Sequence, residues 1–316
     1  MSASKAEVCI VGGGIGGLAA AYELGKRGIS SVVLESSERT GGRIKTVRIA
    51  DCAFDVGAIG LLGSYAQTAA LINEVGLGSR LSRAPVMLGV PRNGVLHPLD
   101  MGRPLSILRT QLLSGASLWR ARKLAGPMIR HWSKLNFESM AGMAPFDAED
   151  VPAFARRELN EELFEYLIGP IARALWQRDP EGTPVVDLFW GLKAFAPTMY
   201  AIEGGMDHLT DALAAKVQTQ TGATVQTVEE TASGARVSYS VNGESRTEDF
   251  RACILAVPPA IAARLLQPLP TVLRDAFAAL SYACSVNVHF ALKKPIGGRT
   301  QIIFPPHSET PDLTTV

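Results

Sequence analysis

At 316 residues the chain can bury two cores, and 47% apolar against 19% charged residues is the composition of a folded globular protein. With 31 Lys and Arg against 30 Asp and Glu the net charge is +1, so no global imbalance points to nucleic acid. The four cysteines (Cys9, Cys52, Cys253, Cys284) lie far apart without a C-x-x-C pair and read as buried, reduced thiols.

The N-terminal segment carries the strongest signal. Val8, Ile10 and Val11 form a short apolar run that suits a buried parallel strand. Gly12, Gly14 and Gly17 then give G-x-G-x-x-G where strand turns into helix. The first glycine permits the tight turn, the second lets backbone approach a pyrophosphate, and the third lets helix and strand pack closely. The helix that follows directs its N-terminal N–H groups at the phosphates. The next strand, Val32-Val33-Leu34, ends at Glu35, where an acid bonds ribose hydroxyls and disfavours the 2′-phosphate of NADP. Arg39, Gly41, Gly42 and Arg43 come next. A cation beside paired glycines can neutralise a diphosphate, which a simple nicotinamide fold does not need. An NAD-dependent dehydrogenase is the weaker reading for that reason.

The segments GGGIGGLAAAYELGKRG, SVVLE and SERTGGR resemble the FAD signature of the flavin-containing amine oxidases, protoporphyrinogen oxidases and carotenoid desaturases. The resemblance implies FAD as cofactor, held through Gly12, Gly14, Ile15, Gly16 and Gly17 at the pyrophosphate. It implies a ribose contact at Glu35 with Ser36 beside it, and phosphate contacts around Arg39, Gly41, Gly42 and Arg43. It places the flavin ring near Gly57 and Ala58, in FDVGA. The implied fold is α/β: an FAD-binding Rossmann-like domain with an inserted α+β substrate domain. Residues 1–80 and 200–260 form the discontinuous FAD-binding domain, and 81–199 with 261–316 form the substrate domain.

Further along, residues 45–56 read as two short strands around Asp51. Ser64 is placed to cap a helix that Gly76 ends. Asn93-Gly94 joins two strands within 86–99, a hairpin signal. Residues 101–137 carry seven cations (Arg103, Arg109, Arg120, Arg122, Lys123, Arg130, Lys134), no acid, and the interleaved Trp119 and Trp132. Two readings stand: peripheral contact with an anionic membrane surface, or a solvated basic face balanced by the acidic stretch at 147–162. The second is preferred, because amphipathic helices more often face a core. No nucleic-acid motif accompanies the patch. Asp150 and Asn160 are placed to cap two helices, with Leu163, Tyr166, Leu167 and Ile171 on one buried face. Phe189, Trp190, Phe195 and Tyr200 line either a substrate pocket or the core.

Glu203-Gly204-Gly205-Met206 leads a helix expected to run to residue 220. The strand 224–228 follows, where the resemblance has Val228 meet the adenine through its backbone. A hairpin turns at Asn242-Gly243, and CILAV with Pro258 and Pro259 resembles the family's strand that returns beside the cofactor. VNVHFAL (286–292) reads as a strand. In many amine oxidases the family places a lysine on that strand; here the position is near Asn287. This argues against amine oxidation and for a CH–CH dehydrogenase of the porphyrinogen oxidase kind. The Gly-Pro-Arg that this subgroup often carries is replaced by Gly57-Ala58-Ile59. The family's last glycine-rich return to the flavin is missing from the sequence. A homo- or hetero-oligomer, or a further segment, is expected to complete the domain. A non-catalytic, incomplete flavin-fold protein is the rival from another class.

The five histidines (His97, His131, His208, His289, His307) have no metal spacing, and no nucleophile elbow is present. The expected function is therefore flavin-carried oxidation of a small, largely apolar or cyclic substrate at a C–C or C–N bond. With no secretory signal and no transmembrane run, a cytoplasmic location is expected, with membrane association dependent on 101–137.

Overall fold

The computed structural model describes residues 6–84, 87–100, 103, 107, 109–135, 141–195, 199–294 and 301–315. Its nucleotide-binding layer is a parallel sheet of four strands, ordered Thr219–Gln220, Ser31–Leu34 (β2), Val8–Val11 (β1) and Ala252–Leu255. All four residues of β1 are buried, as a strand covered on both faces requires. One face packs on the helix Ile15–Lys26 (α1), with Val8, Ile10, Val33 and Ala21 in contact. The other face, through Cys9, Val11 and Leu34, packs on an antiparallel sheet of Ala223–Thr231, Gly234–Val241 and Glu244–Phe250, where Val237, Tyr239 and Phe250 fill the space. Asn242 and Gly243 at the turn have φ 51° and 82°, the conformation an Asn-Gly hairpin demands. Leu266–Gln267 adds a parallel strand beside Val228–Glu229, and Ile261 and Leu265 pack into the same core, so the chain stays with this layer through Gln267.

A second core is built mainly from residues between the two halves of this layer in sequence, joined by Ile302 and Phe304. Met87–Arg92 and Val95–Asp100 form the hairpin, turned at Asn93 (φ 52°) and Gly94 (φ 74°), and Gln301–Ile303 pairs parallel to Met87–Gly89. Helices Gly115–His131, Val151–Glu158, Gly169–Trp176 and Val185–Phe195 pack against it through Leu118, Phe154, Ile171, Leu188 and Phe189. Asp150 accepts from the Ala153 N–H at 2.9 Å and Asn160 from the Leu163 N–H at 3.0 Å, so both predicted caps are in place. Leu163, Leu167 and Ile171 are buried and Tyr166 packs beside them.

Three expected elements differ. The helix after Met206 stops at Ala214, and Thr219–Gln220 joins the open edge of β2 instead, with the Val33 N–H donating to the Gln218 carbonyl at 2.9 Å. The β-branched Thr219 fits that extended edge better than a helix. The helix Ala66–Glu74 starts one residue past Tyr65 with no side-chain cap, so Ser64 does not cap it. Residues 286–292 form no strand, although they alternate apolar and polar residues, because no described segment pairs with them.

Helix Gly115–His131 turns Leu118, Ala121, Leu124 and Met128 to the second core, while Trp119 (67%) and Ile129 (78%) are exposed. Arg122 stacks on Trp119, and Lys123 reaches Glu158 at 3.0 Å, so part of the basic stretch is balanced by the acidic segment after it. No helix among the described residues is long and apolar enough to cross a membrane.

The N-terminus of this helix is held by Glu162. Its carboxylate accepts from Ser114 Oγ at 2.5 Å, from Ser117 Oγ, and from Arg92 at 2.6 Å. Burial pushes this carboxyl up, but the hydrogen bonds from Ser114, Ser117 and Arg92 outweigh it and hold the group at about 2. A depressed folded pKa contributes stability that is present above the unfolded value and is lost as pH falls through the folded one. Glu162→Gln is therefore expected to destabilise the chain by roughly 2–3 kcal/mol near neutral pH. The deficit should shrink as pH drops from about 4.5 toward about 2. Urea denaturation of both chains across that range checks this; a pH-independent difference would contradict it.

Candidate cofactor site

The site forms where β1 ends. Gly12 has φ 105°, and a β-carbon there would lie 2.6 Å from the Ala256 carbonyl oxygen. At Gly17 the added carbon would lie 2.0 Å from the Gly12 carbonyl oxygen. Both positions need glycine because α1, the turn and the returning strand meet there. At Gly14 and Gly16 an added carbon would meet nothing within 4 Å, so the turn is open on that side. Gly14 is the N-cap of α1 and supplies no side-chain acceptor, which leaves the first-turn N–H groups of Ile15, Gly16 and Gly17 facing that opening. This is the donor array an anionic diphosphate takes. Ile15 itself packs its side chain into the core behind.

Glu35 is buried at the end of β2. One carboxylate oxygen accepts the Gly13 N–H at 2.6 Å; the other accepts the Ser37 N–H at 2.8 Å and the Ser36 hydroxyl at 3.4 Å. A carboxylate has about four acceptor positions, so capacity remains for a ribose hydroxyl.

The 39–43 loop folds over the glycine turn. The Gly41 N–H donates to the Gly13 carbonyl at 2.7 Å, and a β-carbon on Gly42 would come 3.3 Å from Gly14 Cα. Gly41 and Gly42 have φ 108° and 56°, which this close approach requires. Arg39, expected to contact a phosphate, stands at the start of this loop. Its guanidinium donates to the carbonyls of Thr40 (2.9 Å), Gly42 (3.1 Å) and Ile44 (3.3 Å), and so holds its own loop in shape. It also borders a polar cleft of about 420 Å³ with Glu38, Lys45, Asp207 and Thr221, none of whose walls comes from the glycine turn. Arg43 is exposed, and its carbonyl accepts the Ala58 N–H at 3.2 Å. A β-carbon at Gly57 would sit 1.8 Å from that carbonyl, so only glycine lets the two loops meet. Ala58 is exposed beside them.

The distant half of the layer is tied in by short polar links. Asp55 accepts from Thr46 Oγ1 at 2.5 Å and from the Met206 N–H at 3.0 Å, and Arg48 pairs with Asp207 at 2.9 Å. The Arg48 guanidinium holds the Asp207 carboxyl below the usual range. The Ala223 N–H donates to the Glu35 carbonyl at 2.8 Å, which brings the strand Ala223–Thr231 beside the ribose position. Val228 is not the residue exposed there. Its side chain is buried, with Val237 on one edge and Leu266 on the other, so its backbone presents no open edge. Val225, at a bulge in the same strand, pairs on one edge only among the described residues. The break in register is a tertiary feature with no composition signal, and it makes Val225 the better-placed residue.

Other predicted residues fall elsewhere. Phe189 is core, in edge contact with Phe154, and Trp190 packs against the same cluster. Tyr200 lies in a strand between Leu61–Leu62 and Leu81–Ala84, and the side chain of Phe195 lies outside the described residues. Among the described residues no three metal-ligating side chains cluster. Asn287 donates to the Val56 carbonyl at 3.3 Å, and His289 lies 5.3 Å from the Phe54 ring. Residues 286–292 thus run beside the segment leading to Gly57.

A parallel βαβ unit with an open glycine turn, a buried acid at the end of β2 and a second glycine loop folded over the turn defines a dinucleotide-binding flavoprotein fold. The profile of the flavin containing amine oxidoreductases matches residues 15–315. The chain belongs to that family, and FAD is its cofactor; the donor array and the acceptor capacity of Glu35 fit it. Protoporphyrinogen oxidase 2 of Arabidopsis thaliana is 28% identical over 221 residues, covering 66% of this chain and 42% of that one. The coproporphyrinogen III oxidase of Bacillus subtilis is 28% identical over 200 residues, covering 60% and 40%. The chain thus spans about two fifths of these relatives' length. Among solved structures, putrescine oxidase bound to putrescine superposes with TM-score 0.69 at 19% identity, covering 86% of this chain and 63% of that one. Cyclohexylamine oxidase of Brevibacterium oxydans gives 0.62 at 22%, covering 86% and 63%. These two likenesses show the fold.

Glu35→Gln, which keeps the shape and removes the charge, is expected to weaken FAD binding by roughly 1–3 kcal/mol, the usual cost of losing a charged hydrogen-bond partner. Fluorescence titration with FAD measures this, and an unchanged affinity would remove Glu35 from the ribose position.

Proposed function

We propose that the protein oxidises a largely apolar, cyclic compound at a C–C bond, in the manner of a porphyrinogen oxidase. Bound FAD would supply the two-electron acceptor. The chain's own contribution is positional: the first turn of α1 would hold the diphosphate, Glu35 would accept from the ribose, and Gly57 with Ala58 would border the ring. The observation that carries the choice of bond is Asn287. The side chain that reaches Val56, one residue before the expected ring position, is an uncharged amide rather than an ammonium. Similarity to two porphyrinogen-oxidising relatives supports the same direction. Amine oxidation is the second reading, favoured by the fold likeness to putrescine oxidase.

Anaerobic bleaching separates the two. With FAD-loaded protein, a reduced tetrapyrrole should bleach the flavin absorbance near 450 nm and primary amines should not. Bleaching by amines alone would overturn the proposal in favour of the second reading.

We also propose, in place of the solvated face preferred on composition alone, contact with an anionic lipid surface through helix Gly115–His131. Trp119 and Ile129 are both exposed, about three turns apart on the face that also carries Arg122, with Arg130 flanking it. Flotation with phosphatidylglycerol vesicles should recover the protein at low salt. A Trp119→Ser, Ile129→Ser double variant should lose that recovery, and equal recovery of both chains would exclude this helix.

A further inference from the structure

Cys9 and Cys253 are 244 positions apart in sequence and are brought together by the fold. β1 and the strand Ala252–Leu255 run parallel with Cys9 opposite Cys253. Neighbouring strands lie about 4.8 Å apart, within the range of roughly 4.4–6.8 Å between Cα atoms that a disulfide spans. Directly opposed residues point to the same face. Here that face is the core between the parallel and antiparallel sheets, to which both side chains belong. Cys9 is fully buried and Cys253 half-buried, on the outermost strand of the sheet.

We propose that Cys9 and Cys253 form a reversible intramolecular disulfide when the protein meets a peroxide. Cys253 reacts first, because it is the more accessible residue of the two. The neighbouring Cys9, opposed by burial, holds the Cys253 thiol below its usual range, while Cys253 and burial push Cys9 up. In the first step the Cys253 thiolate attacks one peroxide oxygen. The S–O bond forms, the O–O bond breaks, and hydroxide leaves to take up the proton given up by Cys253, becoming water. In the second step the Cys9 sulfur attacks the Cys253 sulfur. The S–S bond forms, the S–O bond breaks, and the hydroxyl departs with the Cys9 proton as a second water. Two thiols are oxidised and one peroxide is reduced to two waters. The product links the strand that leads into Gly12 to the strand that leads into Ala256, directly beneath the glycine turn. The buried position of Cys9 restricts it to this single partner.

Cys52 and Cys284 are exposed, unlike the buried thiols expected from the sequence, and would react independently, so the test uses the Cys52→Ser, Cys284→Ser chain. The folded protein is treated with hydrogen peroxide, alkylated in denaturant, and mapped without reductant. The proposal expects loss of both thiols, a cross-linked pair of peptides containing Cys9 and Cys253, and full recovery of both thiols with dithiothreitol. Adding Cys9→Ser should stop the reaction at a Cys253 sulfenic acid that dimedone traps. The mapping of the parent chain decides the matter even if that variant folds poorly. Two unmodified thiols, or a Cys253 sulfinic acid beside a free Cys9, would overturn it.

Discussion

Three chain segments meet at the glycine turn with no room for a side chain. The Ala256 carbonyl presses on Gly12, and the Gly12 carbonyl presses on Gly17. The first contact joins residues from opposite ends of the chain, since the Ala256 N–H also donates to the Val11 carbonyl at 2.8 Å. The second fixes α1 against β1, which aims the first-turn N–H groups outward. A methyl group at either position would force the strands or the helix apart, and the open side at Gly14 and Gly16 would lose its shape. The cofactor site is in this sense a by-product of tight packing behind it.

Around that contact, polar groups hold loops that have little apolar surface. Glu35 takes N–H groups from Gly13 and Ser37 and so links the turn to the end of β2. Arg39 takes three carbonyls of its own loop. Asp55 receives Thr46 and Met206, which docks the hairpin Thr46–Ile49 and Cys52–Asp55 on the start of the helix Asp207–Ala214. The Arg48–Asp207 pair is half-exposed on the arginine side, so it orients more than it stabilises. Apolar burial then does the rest: Leu18, Ile44, Met206, Leu209 and Leu213 form one core beneath the loops.

Features with a local physical cause were readable from the sequence. Asn93-Gly94 and Asn242-Gly243 need positive φ in tight hairpins, Asp150 and Asn160 accept N–H groups within three residues, and the G-x-G-x-x-G turn is a local steric demand. The differences arise where a distant partner decides. Residues 215–220 leave the helix because β2 has an open edge nearby. Residues 286–292 carry the alternation of a strand without a partner among the described residues. Arg39 is a cation beside glycines, yet its nearest acceptors are carbonyls of its own loop. Val228 and Val225 are indistinguishable in composition; a register break and the strand Leu266–Gln267 separate them. The pairing of Cys9 with Cys253 was invisible for the same reason, since only the order of strands in the sheet puts them side by side.

The central claim is that this chain forms an FAD site from its glycine turn, Glu35 and the loops at 39–43 and 57–58. The most direct measurement is the visible absorbance spectrum of the purified 316-residue chain, with released flavin quantified per chain after incubation with FAD and desalting. The account predicts flavin bands and a ratio approaching one FAD per chain. A colourless protein that retains no added FAD would contradict it.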